Sequence, residues 1–173
     1  MTITPDTKDW TWVLNRPCPE CGFDSRTITG RDVPALLRVN VAEWPAVLHD
    51  PAVRERRRPD SWSPLEYACH VRDVFRIYTY RLNLILTEDD PLFPNWDQDE
   101  TAVADRYGEQ VPGTVVAELV AAGETLAAAF EAVPDDAWER TGTRSDGAHF
   151  TVETFARYMV HDPVHHLYDV RNS

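Results

Sequence analysis

Residues 60–86 read DSWSPLEYACHVRDVFRIYTYRLNLIL and carry the clearest helix signal of the chain. Ser63 belongs to the residue types that cap helix N-termini, Pro64 suits the first helical position, and Glu66 is placed to complete a capping box. Apolar side chains then recur at the spacing of one broad helical stripe, at Tyr67, Val71, Val74, Tyr78, Leu82 and Ile85. The stretch predicts a long amphipathic helix that begins at Pro64 and ends near Leu86.

Three further segments show the same periodicity. Asp32 can cap a helix that runs through Leu48, although Pro45 within it can kink or shorten that helix. An alanine-rich and leucine-rich segment begins at Pro112, and a last helix is predicted from Thr151 to about Arg171. Because strand-like alternation is absent at any useful length, the sequence predicts an all-α fold, a four-helix bundle.

The segments outside these helices are predicted to be irregular. Residues 89–96 contain two prolines and are expected to form a loop. Residues 1–31 are interpreted as an irregular N-terminal lead-in that contains a CxxC motif, and residues 32–171 as the bundle. A chain of 173 residues is the size of one ordinary domain.

Composition restricts the partners and the compartment. With 29 acidic and 17 basic residues the formal net charge is −12, which disfavours nonspecific attraction to nucleic acid or anionic lipid. We expect no membrane partner either, since no apolar run approaches the roughly 20 residues that span a bilayer. The N-terminal sequence lacks the basic and apolar regions of a secretory signal, and the three cysteines do not form an even disulfide framework. These features predict a cytoplasmic protein.

Histidines near the C-terminus are the first candidate ligands. His161 and His165 are four residues apart, so on a helix their Cβ atoms lie about 5–6 Å apart on one face and both rings can reach one metal ion. His166 is turned by about 100° and cannot easily share that ion. The pair lies at the flank of the apolar stripe beside Tyr158 and Tyr168, which suits a solvent-reachable pocket and equally suits an ordinary surface. Between them, Pro163 is expected to kink the helix or restart it with Asp162 as cap.

His70 lies in the middle of the inward face of the second helix. It is either a core histidine that is hydrogen-bonded to a neighbour, or it meets His161 and His165 across the bundle. Three nitrogen ligands with an open position are typical of catalytic zinc. Glu66 and Asp73, one turn on either side, could orient His70, but we favour helix-surface positions for both carboxylates.

Two stretches in combination resemble a known family. WSPLEYACHVRD (residues 62–73) and HDPVH (residues 161–165) are together similar to the DinB-like superfamily of bacterial four-helix metalloproteins, which includes thiol-dependent isomerases and S-transferases. The resemblance implies a metal triad of His70, His161 and His165 that binds zinc, or nickel or another divalent ion. It also implies a low-molecular-weight thiol as possible cosubstrate, and a possible homodimer.

The CPECG sequence of the lead-in departs from the simplest family pattern. Cys18 and Cys21 look like half of a zinc knuckle, but a structural zinc needs four ligands and no second CxxC is present. Cys69 precedes His70 and points about 100° away from it. Free thiols in a turn are favoured for the pair, with a second metal or redox site as the alternative.

The functional hypothesis is a divalent-metal-dependent enzyme, a thiol-dependent S-transferase or isomerase that acts on a small electrophilic molecule. The alternatives are a metal-dependent hydrolase, since an open metal position activates water equally well, and a non-catalytic metal- or ligand-binding bundle related to stress. A fourth protein ligand would favour the non-catalytic reading. The residues do not identify catalytic groups other than the metal ligands, or the physiological substrate.

Overall fold

The computed structural model describes residues 3, 6 and 9–172 and contains four long helices, as predicted. The elements are, in chain order, α1 (Val33–Leu48), α2 (Pro64–Thr87), β1 (Leu92–Phe93), α3 (Gln98–Ala104), α4 (Pro112–Glu131), β2 (Thr141–Arg144), β3 (His149–Thr151) and α5 (Val152–Asn172). Short 3-10 turns lie at Thr11–Leu14, Ser25–Thr27, Gly30–Asp32 and Tyr107–Glu109. The all-α four-helix bundle with an irregular lead-in is confirmed, with a small sheet added to it.

The predicted capping box of α2 is present. The Ser63 hydroxyl accepts a hydrogen bond from the Glu66 amide at 3.3 Å, and the Glu66 carboxylate accepts one from the Ser63 amide at 2.8 Å. Together they satisfy two of the amides that a helix N-terminus leaves without a helical partner. At the other end, the Arg140 guanidinium donates to the carbonyls of Ile85 and Glu88.

Helix α4 packs against α1 and α2 through a close approach at Gly123. A Cβ atom built there would lie 2.4 Å from Val41 Cγ2 and 3.0 Å from Phe75 Cε2, so any larger residue would force these side chains or the helices to move. Leu126 and Phe130 continue the buried face of α4. The bundle core therefore forms along one side of an alanine-rich helix.

Helix α4 is also long and apolar enough to cross a membrane, by length and composition only. The expectation that no apolar run approaches this length is wrong for Pro112–Glu131. In this structure 33% of its apolar window is buried inside the protein. Alanines and valines on its outer side raise the hydropathy without adding to the core.

The three-stranded sheet and helix α3 were not predicted. β1 pairs with β2 in parallel and β2 pairs with β3 antiparallel, with Leu92 opposite Thr143 and Gly142 opposite Phe150. Strands of two to four residues are too short for alternation to appear in a sequence. Apart from β1, the segment 89–96 is a loop as expected, and α3 follows it with the Asp97 side chain accepting from two amides of its first turn.

Helix α5 runs without interruption through Pro163, so of the two expected alternatives, a kink or a restart at Asp162, the restart does not occur. The Pro163 carbonyl accepts a hydrogen bond from the Asn40 side chain of α1 at 2.8 Å. The lead-in packs along the same helix, where the Glu153 carboxylate accepts from the Gly30 amide at 2.9 Å. An unbroken α5 keeps residues 161, 162, 165 and 166 in regular helical register.

Candidate metal centres

A four-donor cluster joins the lead-in to α5. One donor atom from each of four residues lies within 4.8 Å of all the others, namely Cys18, Cys21, His161 and His165. Cys18 Sγ is 3.6 Å from His165 Nδ1. Cys18 and both imidazoles are buried and Cys21 is partly buried, so the cluster is largely shielded from water.

A tight turn presents the two cysteines. The Gly22 amide donates to the Cys18 carbonyl at 2.9 Å, and the Cys18 amide donates to the Phe23 carbonyl at 2.8 Å. Gly22 has a φ of 75°, in the left-handed region that favours glycine. The turn folds back on itself, and this brings two thiols that are three residues apart to one point beside α5.

Without a bound metal, burial keeps the His161 and Cys21 side chains of this cluster neutral. Burial, with the neighbouring His165 adding to it, lowers the pKa of His161 to about 4. Burial also raises the pKa of Cys21 to about 11, and Cys18 beside it acts in the same direction. His161 Nε2 is buried and has no hydrogen-bond partner in the described part of the chain. A neutral imidazole with an unshared lone pair is the form that binds a metal.

A second cluster of three donors joins α2 to α5. His70, Asp162 and His166 each offer an atom within 4.8 Å of the other two. His70 Nε2 lies 3.3 Å from Asp162 Oδ1, and His166 Nε2 lies 3.7 Å from the same oxygen. Although Asp162 Oδ1 is close to both rings, it is buried without a hydrogen bond of acceptable geometry among the described residues.

Aromatic rings hold His70 in place. Its imidazole is completely buried, stacks flat on Trp96 with a centroid distance of 5.5 Å, and lies 5.1 Å from the Trp62 ring. The His166 ring meets it edge-on at 4.7 Å. Packing on these faces leaves the ring edges to interact with Asp162 and with any bound ion.

Asp169 contacts a histidine of each cluster. Its Oδ2 lies 3.0 Å from His166 Nδ1 and its Oδ1 lies 3.6 Å from His165 Nε2. In the second cluster, burial alone would raise the pKa of Asp162, but His70 and His166 outweigh burial and lower it. Burial alone would lower the pKa of His166, yet Asp162 and Asp169 raise it. Through its two oxygens, Asp169 can orient one ligand imidazole in each cluster.

The predicted triad is divided between these two clusters. His161 and His165 meet the cysteines, whereas His70 meets His166 and Asp162, and the three predicted ligands do not form one compact group among the described residues. The i, i+4 pairs 161/165 and 162/166 are offset by one residue, so they face directions about 100° apart. From the sequence, Asp162 is expected to act as a cap if the helix restarts, and His166 is turned by about 100° from His165, so neither is among the predicted ligands. A second i, i+4 pair of metal-binding side chains was the signal that could have identified them.

Glu66 and Asp73 are buried, so the favoured surface reading of these carboxylates is wrong. Glu66 pairs with Arg56, and Asp73 accepts from the Tyr107 hydroxyl at 2.6 Å and from Arg72 at 2.9 Å. Their partners are on neighbouring loops and helices, and no hydrogen bond joins either of them to His70 in the described residues. They stabilise the fold around α2.

A cavity of about 370 Å³ lies beside both clusters. Asp162 and His166 line it, as do His161 and His165, and aromatic walls come from Trp10, Trp96, Tyr78 and Tyr158. Arg81 also lines it and is 5% exposed; its guanidinium donates to the Pro94 carbonyl at 2.9 Å, and it forms no ion pair with a carboxylate of the described residues. Exposed acidic side chains lie at the rim, among them Asp6, Asp9 and Asp97.

Comparison with known proteins gives the family. A model of the DinB superfamily matches residues 35–170. The chain belongs to the DinB superfamily. Among solved structures, YfiT from Bacillus subtilis is similar with a TM-score of 0.63 and 19% identity, over 98% of this chain and 91% of that one. That protein is described as a probable metal-dependent hydrolase with an unusual four-helix bundle topology, and the likeness shows the fold. No functionally curated protein sequence matches this chain.

Both donor sets fit a divalent metal by spacing and chemistry. Nitrogen and oxygen ligands held tetrahedrally at about 2.1 Å lie about 3.4 Å apart, and a nitrogen and a thiolate sulfur about 3.6 Å apart. The His70–Asp162 distance of 3.3 Å and the Cys18–His165 distance of 3.6 Å agree with these values. The buried donor atoms without partners, His161 Nε2 and Asp162 Oδ1, are further groups that an ion would satisfy.

Proposed function

We propose that this DinB superfamily member is a metal-dependent enzyme whose divalent cation is held by His70, Asp162 and His166. The observation that carries this proposal is a cluster of three protein donors of which two, Asp162 and His166, line the 370 Å³ cavity. Three protein ligands beside an accessible space are typical of catalytic metal sites, and four are typical of structural ones. The alternative is the predicted ligand set of His70, His161 and His165, and metal analysis of single histidine variants distinguishes the two sets.

A cation at this position supplies positive charge that lowers the pKa of a bound thiol or water and so generates a nucleophile at neutral pH. The protein residues provide the rest. His166 Nδ1 is 3.0 Å from Asp169, which fixes Nε2 as the nitrogen that faces Asp162. Trp96 and Trp62 hold the His70 ring, and the aromatic walls of the cavity limit the water around the reacting groups.

The cavity supports a small substrate that carries an acidic group. Its volume of about 370 Å³ lies at the lower end of the range for small-molecule sites. A buried guanidinium without a carboxylate partner is costly, and burial lowers the pKa of Arg81. An anionic group on the substrate would compensate this charge. Arg144, which also lines the cavity, already pairs with Asp146.

For the nucleophile we propose a low-molecular-weight thiol, which makes the reaction a thiol transfer to an electrophile or a thiol-assisted isomerisation. The resemblance to thiol-dependent members of the superfamily supports this choice. Hydrolysis is the second candidate, because the solved neighbour is described as a probable metal-dependent hydrolase and the same open position would activate water. A thiol requirement for turnover separates the two reactions.

The test combines metal content with turnover in protein that was purified without chelator and supplied with zinc. We expect His70→Ala and His166→Ala to lose one metal ion per chain, and to lose the metal-dependent conjugation of thiols such as glutathione, mycothiol or bacillithiol to acidic electrophiles. His49→Ala, which alters an exposed histidine outside both clusters, is the matched control and should retain both.

Three results would change the conclusion. Normal metal content in His166→Ala, together with a loss in His161→Ala that abolishes turnover, would restore the ligand set of His70, His161 and His165. Turnover of acidic esters or amides without any thiol would establish hydrolysis. A protein that binds metal at this cluster but leaves thiol and water substrates unreacted would support the non-catalytic alternative.

A further inference from the structure

We propose that Cys18, Cys21, His161 and His165 form a second, structural zinc site that fastens the N-terminal lead-in to α5. The site is separate from the proposed catalytic cluster, since no ligand is shared between the two groups. Its four donors come from a tight turn in the lead-in and from one face of the last helix. The ligands that meet in space are up to 147 residues apart in the chain.

The donor set identifies the metal. Two thiolates and two imidazoles at tetrahedral spacing form a closed coordination sphere that leaves no position for substrate, which is the usual composition of a structural zinc site. The Cys18 Sγ to His165 Nδ1 distance of 3.6 Å agrees with ligands of one tetrahedral ion. The sequence contains the two halves of a Cys2His2 motif. C-x2-C precedes the bundle and H-x3-H lies in its last helix, whereas a zinc finger carries both halves within one small unit.

The surroundings of each histidine assign its ligand atom. His165 Nε2 lies 3.3 Å from Glu20 Oε2 and 3.6 Å from Asp169 Oδ1, so it can donate its proton to carboxylates while Nδ1 faces Cys18. Metal-bound histidines are commonly oriented by such carboxylates. For His161 the free atom is Nε2, which is buried without a hydrogen-bond partner among the described residues. A zinc ion between these atoms would give His161 Nε2 the partner that it otherwise lacks among the described residues.

The site has a consequence for the neighbouring cavity. The Trp10 ring lies 5.7 Å from His161 and 5.5 Å from His165, and Trp10 also lines the cavity. Phe23, which follows the CPECG turn, lies 6.0 Å from His161. Zinc at this position therefore holds one aromatic wall of the cavity against α5 through the residues that pack on its ligands.

The decisive measurement is cobalt substitution of the full chain, combined with metal analysis. Thiolate coordination produces an intense near-ultraviolet sulfur-to-cobalt charge-transfer band, which the proposed catalytic cluster cannot produce because it contains no sulfur. We expect this band in the wild-type protein and its loss, with one metal ion per chain, in the Cys18→Ser/Cys21→Ser double variant. Cys69→Ser, which changes the third and distant cysteine, should keep the band.

A second measurement uses the unaltered protein, so that it does not depend on the folding of a variant. Zinc-loaded protein should protect Cys18 and Cys21 from alkylation, as read by mass spectrometry, and chelation should expose both. Absence of the charge-transfer band, equal alkylation with and without zinc, or a Cys18–Cys21 disulfide in anaerobically purified protein would overturn the structural zinc site. His70→Ala and His166→Ala should leave the band intact, so failure of the catalytic proposal and failure of this one give different results.

Discussion

At the scale of single residues, Asp169 connects the two candidate metal centres. One of its oxygens faces a histidine of the four-donor cluster at 3.6 Å, and the other faces a histidine of the three-donor cluster at 3.0 Å. A carboxylate that accepts the second ring proton fixes the orientation of the imidazole and raises its basicity. Asp169 is therefore placed to strengthen both sites at once.

Replacing Asp169 with Asn should weaken metal binding at both centres by about 10–100-fold, which is the usual effect of losing such a partner. Competition with a chromophoric chelator measures the two affinities, and cobalt spectra identify which site is lost first. Asp136→Asn, an exposed carboxylate in a distant loop, is the control. Unchanged affinity at both sites in Asp169→Asn would show that this carboxylate does not support the ligands.

Glu66 belongs to a buried ion pair that makes the stability of the fold depend on pH. Burial alone would raise its pKa, but the hydrogen bond with Arg56 and the Ser63 amide outweigh burial and lower it. A carboxyl with a lowered pKa stabilises the fold above the pKa of the unfolded chain, and that contribution disappears as the pH falls through the folded-state value.

Glu66→Gln should therefore reduce the free energy of unfolding at neutral pH by about 1–3 kcal/mol, the usual range for hydrogen bonds to charged groups. The difference from wild type should begin to shrink as the pH falls below about 4.5, where the carboxyl of the unfolded chain takes up a proton, and should disappear below the lowered folded-state pKa. Urea unfolding at several pH values measures this. Glu55→Gln, at an exposed position in the neighbouring loop, should show no such trend.

At the scale of elements, the bundle depends on the close approach of α4 to α1 and α2. The Gly123 position leaves no room for a methyl group, because Val41 and Phe75 occupy the space on either side. Helix propensity favours alanine over glycine by about 1 kcal/mol, whereas overpacking a core costs about 1–3 kcal/mol. The steric cost should exceed the propensity gain.

We expect Gly123→Ala to lower the free energy of unfolding by up to about 2 kcal/mol after these opposing contributions are combined. Gly113→Ala on the same helix is the matched control, since a Cβ there would meet nothing within 4 Å, and it should be neutral or slightly stabilising. Chemical denaturation of both variants provides the comparison. A Gly123 variant as stable as the control would mean that the helices shift apart without cost.

At the scale of the whole molecule, the lead-in and the bundle are joined both by direct contacts and by the proposed zinc. The Gly30 amide is bound by Glu153, and Arg157 donates to the Ser25 carbonyl at 3.5 Å. These few polar contacts tie a segment with little regular structure to α5. A ligand that binds only the folded arrangement stabilises it further.

Removal of zinc should accordingly make the lead-in more susceptible to proteolysis than the bundle. Trypsin cleavage after Arg26 should accelerate several-fold when a chelator is added, whereas cleavage after Arg106, an exposed residue that follows α3, should change little. Mass spectrometry of timed digests gives both rates. Equal acceleration at the two arginines would indicate general destabilisation instead of release of the lead-in.

The sequence by itself determined the four long helices, because a capping box such as Ser63 and Glu66, prolines at helix starts and apolar periodicity are local signals. It also identified His70, His161, His165, Cys18 and Cys21 as candidate donors. Only the tertiary structure decided how they are grouped. Which donors share a site depends on the helical phase of α5 and on where the lead-in docks, and contacts between residues 147 positions apart leave no local pattern in the chain. For the same reason His166 and Asp162 became visible as partners of His70 only when α2 and α5 were packed together.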